Sequence, residues 1–319
     1  MNHGDLNHRV LRRPLLAPWY RLVEDGDRLL LEHGRSVVVL EGAAVRALLP
    51  RLLPLLDGSH TADEVARGLG ESARPAIDRA LELLAAHGLL VEGPGLAEGE
   101  PSAAAALAAE YGLAPAVAAA RLRSASVGVV GSSSVGAGVA RLLHASGVGT
   151  VRQLEWEEGG EVDVAVAAPA GHEARALSAW NTLAIEHGQR WLLLRPYDGL
   201  AVTVGPLVVP GESSCYECLL LRLAGHVEYG SDLRRIEEAP VQAAAGAPLD
   251  AMAAGLVSQL VLAWLGGGDT SLPGLLHVLE ARPSPSLTAH RVLRVPRCPA
   301  CSPSERVAPP LPWHEAEAA

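Results

Sequence analysis

Four cysteines occur in the chain, and they fall into two matched hooks, Cys215-Tyr-Glu-Cys218 and Cys298-Pro-Ala-Cys301. No other feature limits the fold as tightly. Two thiolates at C-x-x-C spacing bind one side of a tetrahedral ion at metal–sulfur distances near ~2.3 Å, and a second hook closes the shell. Small, turn-forming or polar residues flank each hook: Gly211, Ser213 and Ser214 at the first, Pro296, Pro299 and Ser302 at the second. Two disulfides or a thiol redox pair are the alternatives. The sequence shows no signal-peptide pattern, and 319 residues can build a core without covalent staples. A redox C-x-x-C stands alone at a helix start and needs no twin. The expectation is therefore one structural Zn2+ on Cys215, Cys218, Cys298 and Cys301, with no open position for water and hence no catalytic role.

The length allows two domains, and hydrophobic content of 49% with 19% charge describes an ordinary folded core. A net charge of −10 argues against a nucleic-acid partner, because neutralising phosphates needs a basic surface. All 26 basic residues are arginine; lysine is absent throughout. The longest apolar helical stretch, read as Leu256–Leu265 with Gln259 inside it, falls short of the ~20 residues that cross a bilayer. No membrane partner and a cytoplasmic location are the expectations.

The first 95 residues read as three strands followed by three helices. Trp19–Glu24 and Arg28–Glu32 flank Asp25-Gly26, a hairpin signal because the turn needs positive φ. His33-Gly34 leads into a third strand, Ser36–Leu40, with a β-branched run at Val37, Val38 and Val39. Val45, Leu48, Leu49, Leu52 and Leu53 then recur at helical spacing, interrupted by Pro50 and Pro54. Thr61 with Glu64 forms a capping box for a second helix. Ser72 and Pro75 open a third helix with Ile77, Ala80, Leu81 and Leu84 on one face, closed by Gly88. This order describes a winged-helix-like module. DNA reading is disfavoured: residues 1–95 hold 11 Arg against 13 acidic residues, and the third helix mixes Arg74 and Arg79 with Asp78 and Glu82. A sheet edge beside a helix can instead take up an extended peptide through main-chain hydrogen bonds.

Glu92–Ser102 reads as a linker into a second domain, 96–319. There Val127–Val130 runs into Gly131-Ser-Ser-Ser-Val-Gly-Ala-Gly138 and a helix, the opening of a nucleotide-binding βαβ unit. Ser133 stands where the middle glycine of G-x-G-x-x-G would let a pyrophosphate approach, and Glu155 is the candidate ribose acid. Further strands are read at Val162–Ala167, Trp191–Leu194, Leu200–Val204, Leu275–Glu280 and Thr288–Arg294, with helices at His172–His187 and Asp250–Leu265. The domain is α/β. His144, His172, His187, Arg195 and Asp198 form no recognisable catalytic constellation. Glu237–Pro248 reads as a loop, and a Pro-rich tail carrying Trp313 follows Cys301.

The N-terminal order of elements, with Leu55-Leu56-Asp57-Gly58, Thr61–Val65 and His87-Gly-Leu-Leu90, resembles the PqqD-like recognition element of ribosomal peptide natural-product pathways. Gly205-Pro-Leu-Val-Val-Pro-Gly-Glu-Ser-Ser-Cys215-Tyr-Glu-Cys218, paired with Val292-Leu-Arg-Val-Pro-Arg-Cys298-Pro-Ala-Cys301, resembles the Rossmann-like ThiF-type domain of ubiquitin-activating-type adenylating enzymes. In particular it is similar to the branch found in thiazole/oxazole-modified peptide biosynthesis. That resemblance implies a precursor (leader) peptide gripped along Ser36, Val37, Val38, Val39 and Leu40 and against Arg74, Ile77, Asp78 and Leu81. It also implies zinc on the four cysteines, a YcaO-type cyclodehydratase as partner in azole or thiopeptide biosynthesis, and a homodimer. The sequence departs from adenylating members in having no lysine, no Asn-Leu-x-Arg-type motif, Ala167-Ala168-Pro169 in place of a later aspartate, and no cysteine free for thioester transfer. The expectation is a non-catalytic leader-binding scaffold, with a divergent ATP-dependent adenylating enzyme as the alternative.

Overall fold

A computed structural model describes residues 11–100, 102–159, 161–281 and 284–302, so the tail with Trp313 lies outside the described residues. The chain divides into two compact units, Met1–Arg123 and Ser124–Ala319.

In the first unit, β1 (Pro14–Leu16) pairs antiparallel with β5 (Leu90–Glu92), a two-stranded sheet that the sequence reading lacks. The other strands, β2 (Arg21–Asp25), β3 (Arg28–His33) and β4 (Ser36–Glu41), form an antiparallel sheet in the order β2-β3-β4. Both connections are two-residue turns that place a glycine at positive φ, Gly26 at 63° and Gly34 at 63°. Helices α1 (Ala43–Leu52), α2 (Ala62–Leu69) and α3 (Arg74–Ala86) follow. The capping box forms as read: Thr61 Oγ1 accepts from the Glu64 N–H at 3.2 Å, and the Glu64 carboxylate accepts from the Thr61 N–H at 2.7 Å. Leu29, Leu31 and Leu40 from the sheet bury against Leu49, Leu52, Leu56, Val65, Ile77 and Leu84. Alternation along the strands puts the intervening residues, Val37 and Val39 among them, on the outer face. The alanine-rich helices α4 (Ser102–Tyr111) and α5 (Pro115–Ser124) come next.

The second unit is a mixed seven-stranded sheet in the order β12-β11-β10-β9-β8-β6-β7. Strands β6 (Ser126–Val130), β7 (Thr150–Leu154), β8 (Val164–Ala167) and β9 (Trp191–Arg195) are parallel. Strands β10 (Ala201–Val208), β11 (Leu275–Glu280) and β12 (Ser286–Arg291) continue antiparallel. Strand β10 outruns its expected end at Val204, passing through Gly205-Pro206 with a register shift before Leu207. Helices α6 (Ser134–Ala145) and α10 (Ala247–Leu262) contact each other, and a Cβ on Gly138 would lie 3.0 Å from that of Ala254, so the glycine allows close approach. Helices α7 (Ala176–Glu186) and α8 (Tyr216–Ala224) contribute Leu177, Trp180, Tyr216 and Leu219 to a core shared with Val130, Trp191 and Leu193. A short helix α9 (Leu233–Glu238) occupies the start of the region read as a loop.

Helix α10 also corrects the reading of the apolar stretch. With its π-helical last turn it forms a helix over Ala247–Gly267, 21 residues with mean hydropathy 1.5, long and apolar enough to cross a membrane by length and composition. Half of that stretch is buried inside the protein, with Val257 and Val261 in the core.

Candidate functional site: a four-thiol cluster and an open strand edge

The four cysteine Sγ atoms converge from two distant hooks, all within 4.8 Å of one another. Cys215 sits at the N-cap of α8 and Cys218 in its first turn. The loop before them is tied down by Ser213 Oγ, which accepts from the Val209 N–H at 2.8 Å and donates to the Leu207 carbonyl at 3.1 Å. Buried Asn181 on α7 accepts from the Tyr216 N–H at 3.0 Å, satisfying one of the unpaired donors at the helix start. The second hook follows Arg297, whose φ of 60° bends the chain sharply into Cys298. Arg294 donates to the Cys301 carbonyl at 3.0 Å, and Arg222 to the Arg294 carbonyl at 3.0 Å.

These sulfurs fit a tetrahedral ion. Four thiolates at ~2.3 Å from a metal stand about 3.8 Å apart along each edge of the tetrahedron. The observed separations are 3.8 Å for Cys215–Cys218, 3.8 Å for Cys215–Cys298 and 3.5 Å for Cys218–Cys301. All four cysteines are free, and three are buried. The Cys215 thiol donates to Cys218 and, with the Val295 N–H at 3.3 Å adding to it against the cost of burial, holds the Cys218 thiol down to about 4. Serving as that donor, and then burial, push Cys215 up; burial first and the bond to Cys218 second push Cys301 up to about 11. Such a set gains most from a cation that lets every sulfur ionise.

The other candidate surface is strand β4. Among the described residues no strand pairs with its outer side. The two-residue turn Gly34-Arg35 makes His33 and Ser36 the closing hydrogen-bonded pair, and the pairs alternate from there. Ser36, Val38 and Leu40 therefore bond back to β3, while Val37, Val39 and Glu41 turn N–H and C=O outward. The Val38 N–H thus belongs to the inner ladder. Val37 and Val39 are 52% and 42% exposed, Val38 is half-buried and Leu40 is in the core. Leu81 on α3 and Val38 on β4 both lie partly buried at the margin of the same core, whereas Ile77 on α3 is fully buried. Arg74 binds Asp63 at 2.6 Å and Asp78 at 3.3 Å, so two charges expected at the ligand already satisfy each other.

The remaining polar candidates are held in separate local roles. His187 Nδ1 meets the Leu183 carbonyl at 2.9 Å, Asp198 accepts from the N–H groups of Leu200 and Ala201, and Arg195 forms a partly buried pair with Glu237. Glu217, beside the first hook, accepts from Arg234 at 2.5 Å on both oxygens. Sequence reasoning passed over Asn181, Glu217 and Glu237, whose partners lie 17 to 42 residues away.

No protein-family profile and no curated protein matches the chain. Solved structures do. A heterocyclase in complex with substrate and cofactor aligns with a TM-score of 0.70 at 26% identity, over 91% of this chain and 40% of its own. The heterocyclase TruD gives 0.69 at 24%, over 91% and 43%. The microcin C7 biosynthetic enzyme MccB, known from E. coli and in this case in complex with N-formylated MccA, gives 0.64 at 16%, over 91% and 99%. These neighbours are enzymes. The expectation of a non-catalytic scaffold, drawn from the missing lysine, Asn-Leu-x-Arg-type motif, later aspartate and free cysteine, is corrected accordingly; this chain spans about two fifths of the heterocyclases it matches.

Proposed function

We propose that this chain is the precursor-binding part of a heterocyclising enzyme. The leader of a ribosomally made precursor adds as a strand along β4, and the core is processed by a YcaO-type, ATP-dependent cyclodehydratase acting with it. In this reading residues 1–95 are a PqqD-like recognition module, residues 96–319 a Rossmann-like, ThiF-type domain, and the four cysteines hold a structural Zn2+. The observation that carries it is the contrast between the two edges of the first sheet. Strand β2 reads Arg-Leu-Val-Glu-Asp, with charges that discourage pairing, whereas β4 offers Ser-Val-Val-Val-Leu with outward main-chain groups at Val37 and Val39. The likeness to a heterocyclase solved with substrate supports the same reading. Tethering a leader raises the effective concentration of the core at the reacting site, so modest affinity suffices.

The test is fluorescence anisotropy with labelled leader peptides of ribosomally made precursors, followed by heterocyclisation with a YcaO-type partner. Binding that survives deletion of residues 1–95 would sink the assignment. MccB is matched over 99% of its length, which favours a second reading, direct adenylation of a peptide by this chain. ATP–pyrophosphate exchange by the chain alone separates the two.

A further inference from the structure

The turn at Gly131 has the course of a phosphate-binding loop: strand β6, a glycine at φ 96°, then the N-terminus of α6. Such a turn binds phosphate through main-chain N–H groups left without internal partners. Here three of those groups, on Ser132, Ser133 and Gly136, are already occupied. The Glu173 carboxylate, 41 residues downstream, accepts from the Ser132 N–H at 2.9 Å and from the Ala170 N–H at 2.7 Å through the same oxygen. Ser133 N–H reaches the Ala168 carbonyl at 3.4 Å, and Ser133 Oγ accepts from Gly136 N–H at 3.1 Å. On the other side, the Gly131 carbonyl accepts from Gln153 at 2.9 Å. The turn also packs tightly on the strand beside it, since a Cβ on Gly131 would lie 2.5 Å from the Ala168 oxygen. The neighbouring charge has the wrong sign for phosphate: Ser134 Oγ donates to Asp250 at 2.7 Å.

The segment carrying Glu173 is itself anchored. Gly171, two residues before it, accepts from the Val241 N–H at 2.9 Å, and a Cβ there would collide with the Val241 oxygen at 2.4 Å. Val241 follows α9, whose Glu237 pairs with Arg195 at the end of β9. Burial pushes the Glu173 carboxyl up, yet the Ser132 and Ala170 donors more than offset it and hold it below the usual carboxylate range.

We propose that Glu173 is a resident anion: its carboxylate stands in for a phosphate at the head of α6, keeps nucleotide out of this turn, and fastens the turn to the segment that follows α9. This concerns the second unit alone and stands whether or not β4 binds a leader.

The test uses the full-length, metal-loaded chain and two substitutions, Glu173→Ala and Glu173→Gln. The alanine variant strips the Ser132 and Ala170 N–H groups of their acceptor, so its melting temperature falls. Inorganic phosphate, compared with chloride at equal ionic strength, is expected to raise that temperature by about 3 °C more than in the unmodified chain. Glu173→Gln keeps a neutral acceptor and should show a smaller phosphate response, still above that of the unmodified chain; it carries the test if the alanine variant does not fold. An equal phosphate response in variant and unmodified chain, whether both gain or neither does, overturns the proposal. So does ATP that slows hydrogen exchange across residues 131–137 of the unmodified chain.

Discussion

Strand β4 and the Gly131 turn are both stretches of backbone of a kind that binds ligands, and they stand in opposite states. On β4, Val37, Val39 and Glu41 direct N–H and C=O groups away from the sheet, and no strand among the described residues meets them. At the turn, Ser132, Ser133 and Gly136 have each found an acceptor within their own unit. The βαβ pattern promises a site at the second and little at the first. Which main-chain donors remain unpaired reverses that ranking, because a donor with a good internal partner gains little from a ligand.

The largest expected effect separates the two units. Removing the metal with a chelator, or replacing Cys298 by Ser, should cost the second unit several kcal/mol and abolish its cooperative unfolding transition, while leader binding persists. Differential scanning calorimetry alongside anisotropy reads both, and loss of binding together with the transition would tie the edge to the metal. A partly buried ion pair comes next. Arg195→Ala leaves Glu237 uncompensated and is expected to lower stability by about 1–2 kcal/mol, measured by urea denaturation, with leader affinity unchanged. At the edge itself, Val39→Pro removes an outward N–H and should weaken the leader by about tenfold with little change in unfolding. Val38→Pro breaks an inner ladder bond, so its damage should appear in stability instead. The reverse outcome for this pair would show that the register had been misread.

Smaller effects lie in the helix and turn chemistry of the first unit. Thr61→Ala removes the α2 cap and should cost about 1 kcal/mol. Asp57 is held down to about 2, first by the Ser59 hydroxyl and then by the Ser59 N–H. A carboxylate depressed in the folded state stabilises above its unfolded value of 3.8 and loses that contribution as pH falls toward 2. The melting temperature of Asp57→Asn should therefore fall less steeply than that of the unmodified chain across this window.

What could be read in advance was local. Asp25-Gly26 and His33-Gly34 fix two hairpins, Thr61 and Glu64 start α2, and the C-x-x-C spacing brings each thiol pair together. Features that depend on distant partners stayed out of reach. Strands β1 and β5 are three residues each and pair across the whole first unit, too short for periodicity to show. Gly205-Pro206 signals a break, yet β10 runs through it because Val202, Val204, Leu207 and Val208 are all buried between neighbours. Ile77, which the resemblance placed against a leader, is fully buried in the core of the first unit. Glu173 stayed hidden in the sequence, since nothing about a glutamate reveals that an amide 41 residues earlier will need it.

An edge left bare has one further consequence. A peptide added to β4 becomes the outermost strand in turn, so its own outward side chains decide whether the sheet stops there. Charged residues on that side end the growth at one guest, whereas an apolar guest recruits the next chain. The empty protein faces the same choice with its own copies, and concentrated preparations should stay monodisperse longer with guest peptide present than without it.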